Sequence, residues 1–191
     1  MKTQKRIILA MTGASGAIYG LKAIDTLRGL NFEVHLIISH MGEQVIAQET
    51  NLSIQDLHSS VDHIYQPKDL AAPIASGSFT TAGMLVIPCS IKTLSGIANS
   101  YSENLIQRAA DVCLKEGRPL VLALRETPLH AGHLQLMAQA TAAGAIIYPL
   151  TPAFYNRPQT INDLVDTTVG RMLARIGIEN KLYQPWDNHK R

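Results

Sequence analysis

The sequence predicts an α/β protein in three layers, with helices on both faces of a mainly parallel sheet. Short apolar runs that do not alternate with polar residues recur along the 191 residues, as expected for strands covered on both faces. Segments with helical spacing of their apolar residues follow most of these runs, which is the order of parallel βαβ units. The sequence contains no internal repeat and no linker, so we expect residues 1–191 to form a single domain.

Composition narrows the class of protein. Hydrophobic residues make up 46% of the chain and charged residues 17%, and the formal net charge of +2 gives no reason to expect nucleic-acid binding. Cys89 and Cys113 have neither metal nor redox spacing, which favours a reducing compartment. The apolar run Ile7–Met11 is too short for a signal peptide, and nothing approaches the length of a membrane span. We therefore expect a cytoplasmic protein.

The first predicted βα unit offers a ligand site. The strand Ile7–Met11 is followed by a loop of small residues, Thr12–Ala17, and by a helix. The apolar residues of that helix are Ile18, Leu21, Ile24 and Leu27. Such a loop lets a ligand approach backbone amides at the helix amino end, where an anion or a polar ring edge is favourable. Ser15 also has a simpler explanation, because serine is a common helix N-cap.

Two further predicted strands also end in hydroxyl side chains. Residues 32–38 form a strand followed by Ser39 and a helix over residues 42–49, and residues 84–87 form a strand that leads through Ser90 into another helix. Together with Ser15, these hydroxyls predict a phosphate-bearing cofactor along the carboxyl edge of the sheet. Between the two units, residues 53–82 are predicted to be irregular, a length typical of a lid or a binding loop.

Residues 108–129 combine a helix end, a buried strand and a charged pair. Gly117 closes the helix, because glycine suits a left-handed cap. Leu120–Leu124 is predicted to be a strand covered on both faces. Arg125 and Glu126 follow at its carboxyl end, where open α/β sheets bind ligands. We therefore predict a functional role for this charged pair.

Two cations precede that strand. Arg108 and Lys115 stand seven residues apart on one helix face, so the fold could bring them to the same crevice. Alternatively, Asp111 and Lys115 form a solvated i, i+4 pair. The sequence offers no motif for a metal ion that could neutralise a phosphate in place of these cations. His130 and His133 lack zinc spacing, and no aspartate-rich magnesium motif is present. Arginine and lysine must therefore neutralise any bound phosphate.

The rest of the chain adds one strand and two helices. A helix over residues 133–143 leads to a fifth strand over residues 145–148. A loop over residues 151–158, rigid because of its prolines, precedes an amphipathic helix over residues 161–176. Spacing alone makes Arg171 on this helix a solvated surface cation.

The combined pattern resembles the flavin prenyltransferases of the UbiX type, within a wider flavodoxin-like family that includes flavin-dependent cysteine decarboxylases. The similarity covers nearly the whole chain. Its matching segments are residues 12–17, 88–95, 108–116, 125–129 and 152–155. The resemblance implies a single flavin-binding domain over residues 1–191 with a Rossmann-like or flavodoxin-like three-layer fold.

The resemblance also implies an activity. A metal-independent prenyltransferase would join a dimethylallyl group from dimethylallyl phosphate to reduced FMN, with bonds at the central-ring nitrogen and at a neighbouring ring carbon. The absence of a magnesium motif favours the monophosphate over the diphosphate donor. The prenylated FMN serves as the cofactor of a partner decarboxylase of the UbiD type. The implied assembly is a homo-oligomer, a dodecamer built from trimers, with active sites near subunit contacts.

The resemblance assigns roles to individual residues. It assigns FMN contacts to Gly13, Ala14, Ser15, Ser39, Ser90, Ile91, Lys92, Thr93 and Arg125. It assigns the site for the prenyl phosphate to Arg108, Lys115, Glu126, Tyr155 and Arg171. It assigns catalysis to Ser15, Glu49, Lys115 and Glu126, with the Glu49 carboxylate near the flavin.

Two positions depart from the family pattern, and two alternatives remain open. Gly117 stands where many relatives carry arginine, and Leu70 stands where some place an aromatic residue over the isoprenyl chain, so cation–π stabilisation from that position is lost. One alternative is a flavin-dependent decarboxylase of a cysteine-derived substrate. His40 after the second strand supports it, whereas residues 152–155 replace the asparagine-containing loop of those enzymes. The other is a non-catalytic FMN-binding subunit.

Overall fold

The structure is a computed structural model that describes residues 5–184. Within this range the strands are β1 (Arg6–Met11), β2 (Glu33–Ile38), β3 (His63–Tyr65), β4 (Met84–Cys89), β5 (Leu120–Leu124) and β6 (Ile146–Ile147). They form one sheet in the spatial order β3-β2-β1-β4-β5-β6, and each neighbouring pair is parallel. The predicted α/β class with a parallel sheet is confirmed.

Helices cover both faces of the sheet. They are α1 (Ala17–Gly29), α2 (His40–Glu49), α3 (Ile54–His58), α4 (Ile91–Ala98), α5 (Leu105–Lys115), α6 (Ala131–Ala142) and α7 (Ile161–Arg175). The core has two parts, one on each face of the sheet, and successive side chains of β1 belong to them in turn. Ile7 and Leu9 pack with α1, α2 and α7. Ile8 and Ala10 pack with α4, α5 and α6. None of the helices that the structure describes is long and apolar enough to cross a lipid bilayer.

The segment predicted to be irregular is partly regular. Residues 53–82 contain α3, the edge strand β3 and a 3₁₀ turn, Pro73–Ala75. The backbone carbonyls of Gly77 and Phe79 accept hydrogen bonds from Arg118, just beyond α5. The prediction of an irregular lid or binding loop was wrong in this respect, because a three-residue strand is too short to show a period in sequence.

The remaining boundaries agree with the sequence within a few residues. Gly117 has φ of +65° after α5, so the left-handed helix end was predicted correctly. The strand order reverses between β1 and β4, which leaves a crevice at the carboxyl ends of these two neighbours. Open α/β sheets bind their ligands at such a point. The loops after β1 and β4 are therefore the candidate ligand site.

Candidate active site

A buried threonine joins the two strand ends at the crevice. The Thr12 hydroxyl donates to the Pro88 carbonyl at 2.8 Å and accepts from the Ser90 amide at 2.8 Å. Only 1% of Thr12 is exposed. Its hydroxyl therefore fixes the loop after β4 relative to the loop after β1. Sequence reasoning missed this role, although a hydroxyl at the end of an apolar strand was the available signal.

The amino end of α1 is capped by a carboxylate from α2. The Gly16 amide donates to Glu49 at 2.9 and 3.1 Å, and the Ala17 amide donates at 2.8 Å. The N-cap position is Gly16, with φ of +113°, so the suggestion that Ser15 is the cap was wrong. The Ser15 side chain instead acts on Glu49, whose pKa it lowers. The helix amino end thus carries its own anion.

Electrostatics keep Glu49 ionised. Partial burial opposes ionisation, but the Ser15 hydroxyl, the two helix amides and the charge of Arg125 outweigh it and lower the pKa of Glu49. Arg125, from the end of β5, is thus near enough to act on the charge of Glu49. The structure therefore brings together Ser15, Glu49 and Arg125, which are distant from one another in the sequence.

Serine side chains cap the next two helices at the same edge. The Gly42 amide donates to the Ser39 hydroxyl at 3.0 Å at the start of α2, and the Thr93 amide donates to the Ser90 hydroxyl at 3.4 Å at the start of α4. Both serines are half-buried. The Ser39 hydroxyl, which accepts from an amide, can donate its proton to a ligand, whereas the Ser90 hydroxyl donates to the Thr93 hydroxyl at 3.2 Å. The edge thus presents two helix amino ends with hydroxyls suited to a phosphate.

The other residues assigned to FMN also lie at this edge. Gly13 and Ala14 follow Thr12, and a Cβ on Gly13 would stand 2.4 Å from Cβ of Met41, so only glycine permits this close approach to α2. Ile91 and Lys92 form the first turn of α4. The Lys92 side chain is 83% exposed and lies 3.8 Å from Glu103. The carboxyl edge therefore gathers all the predicted FMN contacts.

Arg125 and Glu126 extend from the end of β5. The Arg125 amide donates to the Cys89 carbonyl at 3.1 Å, which fixes the pair beside the end of β4. Glu126 accepts from the Thr127 amide at 2.9 Å. Both side chains are exposed, and within residues 5–184 Glu126 forms no salt bridge. The carboxylate is therefore accessible to a ligand at the predicted edge.

Arg171 is not the isolated surface cation that its spacing suggested. It donates to the Tyr155 hydroxyl at 2.9 Å, which joins α7 to the loop after β6. Tyr148, directly after β6, donates to the Thr168 carbonyl on α7 at 3.4 Å. Burial raises the pKa of Tyr148, and the Arg171 charge opposes that shift while Tyr155 adds to it. The structure thus confirms that Tyr155 and Arg171 lie together.

Arg108 and Lys115 lie on the other helix layer. Arg108 donates to Asp111 at 3.0 Å and to the Ala75 carbonyl at 3.2 Å, whereas Lys115 pairs with Glu116. The alternative pair of Asp111 with Lys115 was wrong, because each residue has a nearer partner. The cations on α5 and the pair on α7 are therefore separated by the sheet.

Lys115 also lies at the wrong edge of the sheet to meet Arg125 in the same chain. It is the last residue of α5, and Pro119 shortly after it accepts a hydrogen bond from Met84, the first residue of β4. The five residues of β5 then extend about 16 Å before Arg125 is reached. One chain therefore does not assemble the full set of predicted phosphate ligands.

Comparisons with known proteins agree on one family. A family model described as Flavoprotein matches residues 1–173. The chain is similar to flavin prenyltransferase UbiX of Salmonella typhimurium, with 50% identity over 185 residues, which are 95% of this chain and 98% of the relative.

Solved structures give the same result. The chain is similar to AnUbiX (PadA1) in complex with FMN and dimethylallyl pyrophosphate, with 44% identity, a TM-score of 0.96 and coverage of 98% of this chain and 100% of the other. It is also similar to the dodecameric FMN-dependent UbiX-like decarboxylase from Escherichia coli O157:H7, with 44% identity, a TM-score of 0.93 and coverage of 96% and 100%. The similarity thus covers the crevice and both helix layers.

Proposed function

Because this chain belongs to the flavoprotein family and, within it, to the flavin prenyltransferases of the UbiX type, we propose that it joins a dimethylallyl group from dimethylallyl phosphate to reduced FMN. The observation that carries the proposal is the match over 98% of the chain to a structure that holds FMN with a dimethylallyl donor. We propose that residues 1–191 act as one flavin-binding unit. The prenylated FMN is then available as cofactor to a UbiD-type decarboxylase.

The carboxyl edge fits FMN. The hydroxyls of Ser39 and Ser90 stand at helix amino ends, where the macrodipole and free amides favour the phosphate. Gly13 and Ala14 let the ring system approach the backbone, and Arg125 adds a positive charge beside it. Glu49 neutralises the amino end of α1, which leaves the ends of α2 and α4 for the phosphate. When bound, reduced FMN supplies the nucleophile.

The remaining assigned residues act on the donor. Arg108, Lys115 and Arg171 neutralise the departing phosphate, which a metal ion does in many prenyl-transfer sites. The Tyr155 hydroxyl accepts from Arg171, which holds both side chains together on the donor side of the site. Glu126 delivers a proton to the phosphate oxygen as the carbon–oxygen bond breaks. The protein further holds the two reactants close together and excludes water.

The donor site is shared between copies of the chain. In one chain the sheet separates α5 from α7, so Arg108 and Lys115 do not reach the side of Tyr155 and Arg171. A second copy that places its α5 beside the crevice completes the set without any internal rearrangement. A homo-oligomer, by resemblance a dodecamer of trimers, meets this requirement.

Mass spectrometry of the flavin tests the proposed reaction. We expect the full chain, incubated without oxygen with reduced FMN and dimethylallyl phosphate, to convert FMN into a species heavier by one isoprene unit. The same reaction with oxidised FMN is the control and should leave the mass unchanged. Activity should survive a chelator. An unchanged flavin together with loss of carbon dioxide from a cysteine-derived acid would instead establish the decarboxylase, and bound FMN without either reaction the non-catalytic subunit.

A further inference from the structure

Three metal-binding side chains lie together at the amino-terminal end of the sheet, away from the flavin edge. Glu33 and His35 are two residues apart on β2 and therefore share one face. His63 on the neighbouring β3 is paired in register with His35. Glu33 Oε1 lies 3.1 Å from His35 Nε2 and 3.4 Å from His63 Nε2. Strand geometry thus fixes all three positions.

Two outer partners orient this cluster. The other ring nitrogen of His35 lies 2.9 Å from the Tyr65 hydroxyl, and the second carboxylate oxygen of Glu33 accepts from Arg6 at 3.1 Å. Histidine and carboxylate ligands of metals are held by outer hydrogen bonds of this kind. The His35 side chain is 2% exposed, whereas that of His63 is 50% exposed, so the cluster is anchored on one side and open to solvent on the other.

We propose that Glu33, His35 and His63 bind one divalent transition-metal ion, with Zn²⁺ the best match. The ligand atoms of the three residues all lie within 4.8 Å of one another. Ligands held tetrahedrally at about 2.0–2.2 Å from zinc stand about 3.3 Å apart, close to the two separations from Glu33. Two imidazoles favour zinc over calcium or magnesium, which prefer oxygen ligands.

Two features set the affinity. The rings of His35 and His63 stack with centroids 4.6 Å apart and an angle of 17°, so their nitrogen lone pairs lie in nearly parallel planes. The half-exposed His63 must therefore turn to bring its nitrogen towards a shared ion. The positive charge of Arg6 also opposes a cation beside Glu33. We therefore expect a dissociation constant of about 1 µM, weaker than that of a closed structural zinc site.

The ion would secure the sheet edge and take no part in prenyl transfer. The strand β3 has three residues and pairs only with β2 in the described sheet. Glu33, the first residue of β2, and Ser39 are six positions apart, about 20 Å along the strand. A metal ion bound to both β2 and β3 stabilises the folded state. At this distance it does not contact the flavin edge.

Metal titration of the full chain tests the site. We treat the protein with a chelator, remove the chelator, and measure Zn²⁺ by equilibrium dialysis and Co²⁺ by the visible absorption of tetrahedral cobalt. The test variant is His63→Gln, at an exposed position that should tolerate the change. The matched control is His58→Gln, another exposed histidine at the end of α3. Glu33→Gln removes the shared carboxylate as a second test.

The expected result is one Zn²⁺ per chain, with a thermal stability that rises with zinc concentration. His63→Gln should weaken binding by at least about tenfold, because loss of an outer partner alone typically costs about 10–100-fold. His58→Gln should bind normally. Absence of binding at about 100 µM Zn²⁺, a hundredfold above the expected dissociation constant, would overturn the site. Unchanged binding in His63→Gln would also overturn it and would point to another pair, such as His130 and His133, whose rings are 3.6 Å apart.

Discussion

The residues assigned to FMN lie along one edge of the sheet in a single chain, whereas the cations assigned to the prenyl phosphate are divided between two faces of the sheet. At the crevice, Thr12 joins the ends of β1 and β4, and Glu49 caps α1. Away from it, Lys115 pairs with Glu116 on one helix layer while Arg171 bonds Tyr155 on the other. We therefore propose that FMN binding depends mainly on the fold of one chain and that donor activation depends on assembly.

This division has an electrostatic reason. Three cations held around an empty phosphate site repel one another, and the repulsion is stronger when they are partly desolvated. In the separate chain, Arg108 and Lys115 are instead neutralised by Asp111 and Glu116. We propose that assembly brings these charges close and that the bound donor phosphate offsets their repulsion. The comparison therefore predicts two classes of variant. Variants at the donor residues should lose prenyl transfer but keep FMN binding, whereas variants at the crevice should weaken FMN binding.

The largest loss is expected from Glu126→Gln. The amide preserves the shape and the contact with the Thr127 amide but cannot deliver a proton. We expect prenyl transfer to fall by ~10²–10⁴-fold, the usual contribution of a positioned general acid, with near-normal FMN binding. Single-turnover flavin mass spectra provide the measurement. The loss should shrink with dimethylallyl diphosphate, which has the better leaving group. Retention of more than half the activity would make Glu126 an orienting residue only.

Lys115→Met should give the next largest loss. Removing one preorganised charge from the departing phosphate typically costs ~10²–10³-fold in rate. FMN affinity should stay near normal, because none of the residues assigned to FMN lies on α5. Arg28→Met is the matched control, since it removes a surface cation on α1 that pairs only loosely with Asp62 at 3.9 Å. A clear loss of FMN binding in Lys115→Met would contradict the division into two regions.

Thr12→Val should affect the crevice instead. It leaves the Ser90 amide without its partner, which costs about 1–3 kcal/mol, whereas the Pro88 carbonyl still accepts from the Thr12 amide at 3.2 Å. We expect FMN affinity to fall by roughly tenfold, because a cost of about 1.4 kcal/mol at the loop after β4 has this effect. Thr12→Ser keeps the hydroxyl and should bind FMN normally. Equal affinity in all three proteins would show that this hydrogen bond does not position the loop.

The smallest effect concerns pH and Glu49. Its folded-state pKa lies below the ordinary value of 4.5, so its contribution to stability is present above that value and is lost as pH falls through the lower folded pKa. The melting temperature of the apo protein should therefore exceed that of Glu49→Gln near neutral pH. The difference should shrink below about pH 4.5. A difference that is constant from pH 6 to the acid limit of folding would exclude the ionised cap.

The parts of the molecule that depend on local sequence were predicted well. Buried strands such as Leu120–Leu124 have unbroken apolar runs, and Gly117 ends its helix in the left-handed conformation that glycine permits. Partners distant in sequence were not predictable in the same way. Glu49 caps a helix that begins 32 residues earlier, and His63 reaches His35 through a three-residue strand that has no visible period. The separation of Lys115 from Arg171 was also not predictable, because only the topology of the sheet shows that α5 and α7 lie on opposite faces.

Activity of mixed assemblies tests most directly whether the donor site is shared between copies. Lys115→Met and Arg171→Met chains, each nearly inactive alone, are co-expressed so that they assemble together, and prenyl transfer is measured by flavin mass. Random mixing places an intact α5 beside an intact α7 in about a quarter of the sites, so we expect about a quarter of wild-type activity. Arg108→Met mixed with Lys115→Met is the control and should remain inactive, because both residues come from the same α5. Mixed assemblies no more active than either variant alone would contradict a shared site.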